Sequence, residues 1–438
     1  MKKGKMPPGS KHKSSGTGHL SVIGVASLGV GSMVGVGVFA LLGQVALNVR
    51  SETWLVFVVA GIAALFSGYS YACLSAKYPS SGGITDYLRL GFGWPLFERA
   101  LSILYLFTLV LTLALIAKAF GAYASGLFHK SVYSMWQNLY ATGVLLAMLA
   151  INLVGAALVG KVEVVLVALK IFILGIFIVA GMTTINPEML DHHLIWEPAS
   201  FFSSIGLAFF AYAGYGMMAT AAGDVRNPKR DMPIAFFVAI CFVMALYVVL
   251  AFVVLGNVTP VDLVLHPTTT VARAAEPVLG KIGYPLMSIT ALFATASAIN
   301  ATLFASLNVS LEMGKAECLP AIFRQTSFGG GTRGLYLLVL FILLAIAFLD
   351  LSSIATVASA TFLACYLAVF VVAWRHKAEI EANPLLLGIG FLLMLGILGA
   401  FIGEMIGQAQ WTEIGLLAGT SVVSLLTSYY FDPEKHKV

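Results

Sequence analysis

The sequence predicts an all-α, polytopic membrane protein of twelve transmembrane helices. Three observations predict it: a composition that a water-facing coat cannot accommodate, long apolar runs without strand alternation, and positive charge concentrated in one set of connections. Hydrophobic residues make up 59% of the 438, and charged residues only 10%. The mean hydropathy is +0.94. Soluble domains carry about 25% charged residues, so an apolar excess of this size needs lipid as its solvent. In hydrocarbon only helices and closed barrels satisfy their own backbone groups. Runs of about 20 apolar residues without period-two alternation select helices.

Taken in order, the expected spans cover residues 20–47, 54–77, 96–126, 134–158, 162–184, 201–222, 233–256, 283–313, 334–349, 353–374, 385–407 and 411–430. The third and eighth exceed what a bilayer requires, which implies tilt or protruding ends. The ninth is short. Only Asp350 and a few small polar residues separate it from the tenth.

Charge tests this count. With twelve spans both termini lie on one side, and assigning that side to the cytoplasm places 19 of the 25 Lys and Arg residues there. Arg50, Lys130, Arg273 and Lys281 fall outside, and Lys118 and Lys170 fall within spans. This is the asymmetry of the positive-inside rule. The net charge of +5 therefore reports topology and attraction to anionic lipid rather than nucleic-acid binding. Trp54, Trp94, Trp136, Trp196, Trp374 and Trp411 lie at or near span ends, as an interfacial aromatic belt requires. The expected location is the cell membrane, multi-pass, with both termini cytoplasmic.

Residues 1–19 are polar and rich in Lys, Gly and Ser, and read as a disordered cytoplasmic tail. They resemble the charged start of a signal peptide, but the apolar stretch behind them is too long for one, so it is read as a retained first span. The four cysteines, Cys73, Cys241, Cys318 and Cys365, have no paired spacing, which argues against a disulfide framework or a metal site. The eight histidines fall in tails, loops or span ends. No nucleophile motif accompanies them, so an intramembrane enzyme has no support, and no cofactor is expected.

Glycine marks two spans. The first contains Gly24, Gly29, Gly31, Gly35, Gly37 and Gly43; the sixth contains Gly206, Gly214, Gly216 and Gly223. One reading is close helix packing, for which the Gly31–Gly35 spacing is a signal. The other is a broken helix. Unwound backbone within the membrane is tolerated only around a cavity, where its N–H and C=O groups bind the polar ends of a solute. The two spans lie five apart, which points to two inverted five-helix repeats.

Particular residues then bring a family into view. Ser32–Phe39 (SMVGVGVF), Tyr71–Gly83 (YACLSAKYPSSGG) and Phe210–Pro233, with its Asn-Pro-Lys-Arg core, occur in this chain. They resemble the first-helix, second-helix and sixth-helix motifs of the amino acid–polyamine–organocation (APC) transporters. The eighth and tenth spans match in character, and the resemblance runs from about residue 19 to 377. It implies a LeuT-type fold: a first repeat over 20–184, a second over 201–374, two further helices over 385–430, and a tail over 431–438.

The resemblance also implies a solute site between the two breaks. Its members would be Met33, Gly35, Val36, Gly37, Phe210, Ala211, Tyr212, Ala213 and Gly214. The N–H groups around Gly35, Val36 and Gly37 would hold a carboxylate. Carbonyls near Phe210, Ala211 and Ala213 would accept from an amine. Phe210 would lid the site, against the alternative of an ordinary packing aromatic. Two positions depart from the family pattern: Cys73 stands where relatives have a glutamate, and Gly216 stands where they often have an acid or hydroxyl. The absent carboxylate favours a neutral side chain on the solute.

Lys170 lies about 12 Å into the fifth span at 1.5 Å per residue, where a charge is costly and functional by default. The resemblance implies that it stands where sodium-coupled relatives hold a sodium ion. There it would either exchange a proton during the cycle or act as a permanent brace. Snorkelling toward the cytoplasm is the competing reading. Lys118 has two similar readings, with Glu404 as a partner or as an interfacial acid. Gly399, Gly403 and Gly407 form a stripe suited to helix packing. Residues 224–231 read as a solvated loop that holds topology or, as the resemblance implies, an inner-gate loop with local ion pairs, and 268–282 as a short outer amphipathic helix.

These readings converge on an amino acid permease. The expectation is proton-coupled uptake of a neutral amino acid, by a monomer or homodimer in the lipid bilayer. Exchange, polyamine or organocation transport, and a non-transporting nutrient receptor or assembly subunit remain as alternatives.

Overall fold

The computed structural model describes residues 20–35, 37–80, 82–91, 94–129, 134–154, 159–190, 198–315, 318–325 and 332–431. The expected tail over 1–19, Val36, and all but the first residue of the 431–438 tail lie outside this set. The described residues form helices and no strands. In chain order these are α1 (Val22–Met33), α2 (Leu42–Val49), α3 (Thr53–Lys77), α4 (Ile84–Gly91), α5 (Pro95–Phe128) and α6 (Ser134–Val154). Then come α7 (Val159–Met182), α8 (Pro187–Leu190), α9 (Pro198–Tyr212), α10 (Pro228–Leu255), α11 (Pro260–Leu265) and α12 (Thr270–Leu279). The chain closes with α13 (Gly283–Lys315), α14 (Arg333–Phe348), α15 (Leu351–Arg375), α16 (Pro384–Gly407) and α17 (Trp411–Tyr430). Among the described residues, eight segments are long and apolar enough to cross a membrane. The protein is a multi-pass membrane protein.

Two helical paths are interrupted. Ser21 caps α1 through its hydroxyl, 3.2 Å from the Gly24 N–H. The helix then stops at Val34, whose ψ of 73° leaves the helical region. A π-helical turn, Gly37–Leu41, resumes the path into α2. In the other case α9 gives way to a 3-10 stretch, Ala213–Asp224, of 12 residues. Such runs rarely exceed four residues, because side chains three apart eclipse. Here the sequence AGYGMMATAAGD supplies mostly small ones. The far ends of the two paths are tied together, since the Leu20 N–H donates to the Asp224 carbonyl at 2.9 Å.

Around this pair the other helices form a scaffold. The helix α5, about 51 Å long at 1.5 Å per residue, packs against α6, α13, α14, α15 and α17. The face of α3 packs along α10 and α9, while α1 lies against α10, α7 and the 3-10 stretch.

Several expectations shift in detail. The loop expected over 224–231 is shorter, because α10 begins at Pro228 with Asn227 before it. Proline suits the first helical position, where its missing N–H is not needed. Residues 268–282 hold α12 flanked by two 3-10 turns. The short helices α4 and α11 have no counterpart in the span count. Lys118 donates to Asn138 Oδ1 at 3.1 Å, so its hydrogen bond goes to α6 rather than to Glu404. A Cβ on Gly399, Gly403 or Gly407 would meet nothing within 4 Å; among the described residues, that stripe packs on no other helix of this chain.

Candidate functional site

The two interruptions meet. A Cβ placed on Gly37 would lie 2.8 Å from the Ala211 Cα and 2.9 Å from its carbonyl oxygen. A Cβ on Gly214 would lie 2.7 Å from the Ser32 carbonyl carbon and 2.8 Å from the Met33 nitrogen. Backbone cannot yield as a side-chain tip can, so each break needs its glycine for the other to approach.

Breaking a helix frees carbonyls in a place without bulk water, where each needs a new donor. In this chain side chains supply them. Lys170, 3% exposed, donates from Nζ to the Gly31 carbonyl at 2.7 Å. The Tyr247 hydroxyl donates to the Met33 carbonyl at 2.6 Å and lies 3.1 Å from that of Ala211. The Tyr366 hydroxyl donates to Ala213 at 2.5 Å, and Tyr123 to Phe39 at 2.6 Å. A tyrosine or lysine thus arrives at each of these carbonyls from α5, α7, α10 or α15.

Between the breaks, α5, α13 and α15 enclose a cavity of about 70 Å³. At about 10–15 Å³ per water centre, that is room for about five to seven waters or a solute with as many heavy atoms. Met33, Gly37, Phe210, Ala211, Ala213 and Gly214 line it, so six of the expected site residues come together. Gly35 instead faces Ala298, which a Cβ there would meet at 3.5 Å. Tyr212 turns to α3, where its hydroxyl donates to the Phe57 carbonyl at 2.8 Å. Val36 lies outside the described residues. Lys170 reaches the site through Gly31, which is itself a lining residue.

Phe210 meets Phe362 edge to face, with ring centroids 5.3 Å apart, forming an aromatic wall. Thr112, Ser297 and Thr302 add hydroxyls, and Leu109, Ile116 and Met217 add apolar surface. Among the described residues, the lining contains no Asp, Glu, Lys, Arg or His. At Gly216 a Cβ would lie 2.5 Å from the Tyr366 hydroxyl. The space that an acid or hydroxyl would need there is filled by that tyrosine. The cavity therefore offers backbone groups at one end and neutral walls elsewhere. Such a site suits a small polar solute without net charge.

The sequence reading did not single out Tyr247, Tyr366 or Tyr123. The signal was present: Tyr247 carries a hydroxyl in the middle of the apolar run CFVMALYVVLAFVVL. A buried hydroxyl among aliphatic side chains requires a partner.

Known proteins resemble this chain over most of its length. The amino acid permease family matches residues 20–420. The inner membrane transport protein YbaT of Escherichia coli (strain K12) is 44% identical over 416 residues, covering 95% of this chain and 96% of the relative. The methylthioribose transporter of Bacillus subtilis (strain 168) is 24% identical, covering 83% of each chain. The branched-chain amino acid permease BcaP of the same organism is 25% identical over 281 residues, covering 58% of this chain and 59% of its own length. A membrane bundle with two facing helix breaks, and a family match across most of its length, make this chain a member of the amino acid permease family of the APC superfamily.

Proposed function

We propose that the protein is a proton-coupled permease for neutral amino acids, working by alternating access. It would have a twelve-helix, LeuT-type fold: five-helix repeats over 20–184 and 201–374, then α16 and α17. The positive-charge count assigns both termini to the cytoplasm. The substrate is taken to dock at the cavity between the breaks, with its α-carboxylate near Gly37 and its amine near the carbonyls of the sixth helical path. Phe210, against Phe362, serves as the lid.

The observation that carries this reading is the lining of that cavity, which combines the ends of two broken helices with walls that hold no Asp, Glu, Lys, Arg or His among the described residues. A cationic substrate or a polyamine would find no carboxylate there to pair with. The name of the branched-chain relative points the same way. Lys170 is the coupling residue in this account. Its amine is buried and anchored on a carbonyl that borders the cavity. Gain or loss of its proton changes how firmly α1 is held, and so links proton movement to opening and closing.

The test is uptake into proteoliposomes of a panel of labelled neutral amino acids, cationic amino acids and putrescine, under an inward proton gradient, a sodium gradient or no gradient. Neutral amino acid uptake that rises with the proton gradient supports the proposal. Sodium-driven uptake, uptake of cations alone, or uptake only into preloaded vesicles contradicts it.

A further inference from the structure

A second, larger cavity shares no lining residue with the one between the breaks. It holds about 470 Å³ and is bordered by Thr184 and Asn186 after α7, by Asn257 after α10, and by Asp262 of α11 with Arg273 and Glu276 of α12. Its polar floor is already satisfied. Thr184 donates to Asn257 Oδ1 at 2.7 Å, and the Asn257 amide donates to the Gly181 and Val253 carbonyls at 3.1 and 2.8 Å.

Of the charged groups, the Asp262 carboxylate accepts from the Thr259 hydroxyl at 2.7 Å, and Arg273 is held differently. The Arg273 guanidinium sits over the Tyr284 ring, 4.9 Å from its centroid. One terminal nitrogen is 3.3 Å from His266 Nε2, and its Nε is buried without an acceptor. Asp262 and Glu276 border the same cavity, yet among the described residues neither forms an ion pair with Arg273. A guanidinium held on an aromatic face at the border of a cavity is preorganised for a carboxylate. Two carboxylates across the same space suit an ammonium. Opposite charges that share a cavity without touching leave room for a solute that carries both.

We propose that this cavity is a second solute site, one that takes a small zwitterion, with its carboxylate on Arg273 and its ammonium on Asp262 and Glu276. The site stands on its own geometry. Only its position at the outer mouth, where it would concentrate amino acids ahead of the central cavity, rests on the orientation proposed above.

The test is equilibrium binding of radiolabelled L-alanine to the purified full chain, with Arg273→Gln, the charge-conserving Arg273→Lys, and Glu276→Gln beside wild type. Monodisperse elution confirms that each variant is folded. The expected result is two alanines bound per wild-type chain and one per Arg273→Gln chain. Arg273→Lys weakens the lost site roughly tenfold, because an ammonium cannot make the two-point contact. Ethanolamine, which lacks the carboxylate, competes poorly at the Arg273-dependent site. One alanine per wild-type chain, lost in Arg273→Gln, upholds this site and contradicts the central one. One alanine unaffected by Arg273→Gln overturns this site and leaves the central one standing. Ethanolamine competing as well as alanine at the Arg273-dependent site also overturns it, as does no binding to wild type.

Discussion

The hydroxyl of Tyr247 lies 2.6 Å from the carbonyl oxygen of Met33, the last residue of α1. The same hydroxyl is 3.1 Å from the Ala211 carbonyl, so one proton serves both breaks. A tyrosine has a single hydroxyl proton, and its donation can pass from one carbonyl to the other as the helices shift. Tyr247→Phe removes this donor, while the Met33 carbonyl keeps the Gly35 N–H at 2.9 Å, so the cost is that of a lost hydrogen bond, about 0.5–1.5 kcal/mol. The expected outcome is a folded protein of lower thermal stability, with transport reduced by up to about tenfold, since 1.4 kcal/mol is a factor of ten. Melting temperature and initial uptake rate, measured on the same preparation, check it.

Lys170 makes a different prediction, because it carries the coupling. Lys170→Met keeps the length and apolar stem of the side chain but removes the donor to the Gly31 carbonyl. Uptake against a gradient is expected to fall to background, and any residual exchange to lose its dependence on external pH. Lys170→Arg does not rescue it, because a guanidinium does not give up its proton at these pH values. Uptake measured from pH 5 to 8 in the three proteins distinguishes coupling from a merely structural anchor. A neutral variant that retains the wild-type pH profile refutes the coupling role.

The glycines at the breaks separate from the others. Gly37→Ala and Gly214→Ala each press a methyl group against backbone at under 3 Å, and transport is expected to be lost in both. Gly143 and Gly175 have nothing within 4 Å of a Cβ. Gly143→Ala and Gly175→Ala are therefore expected to match wild type in uptake. Equal loss in all four would mean that glycine content, and not the meeting of the breaks, matters.

His266, in the connection before α12, titrates below the ordinary histidine value of 6.5 because it is partly buried and sits beside Arg273, with Asp262 pulling the other way. The unfolded connection therefore binds a proton more readily than the folded one. Stability from this region is complete above about pH 6.5 and declines as pH falls through the unfolded value toward the folded one. Hydrogen exchange of residues 267–279, corrected for the intrinsic rate, is expected to speed up between pH 7.5 and 5. The change disappears in His266→Gln.

Much of this was legible in the sequence for physical reasons. Lipid demands helices, and their limits follow from hydropathy. The last helix, Trp411–Tyr430, falls on the residues expected. The breaks were legible because glycine clusters in two otherwise apolar runs. The donors that service those breaks were not. Tyr247 and Tyr366 find their carbonyls across 214 and 153 residues of chain, and no local pattern encodes such a pairing. Tyr212 was drawn into the expected site by adjacency to Phe210 and Ala211, but its helical position turns it toward Phe57. The short helices α4 and α11 were missed because hydropathy detects spans, and neither is long enough to be one.

Proton coupling is tested by following proton and substrate together. Wild-type protein is reconstituted into vesicles containing a pH-sensitive dye, a labelled neutral amino acid is added outside in sodium-free buffer, and lumenal pH and lumenal label are recorded together. The lumen is expected to acidify as label enters, and both signals to vanish in Lys170→Met. Label entering without acidification, or entering only when sodium is supplied, would contradict proton coupling.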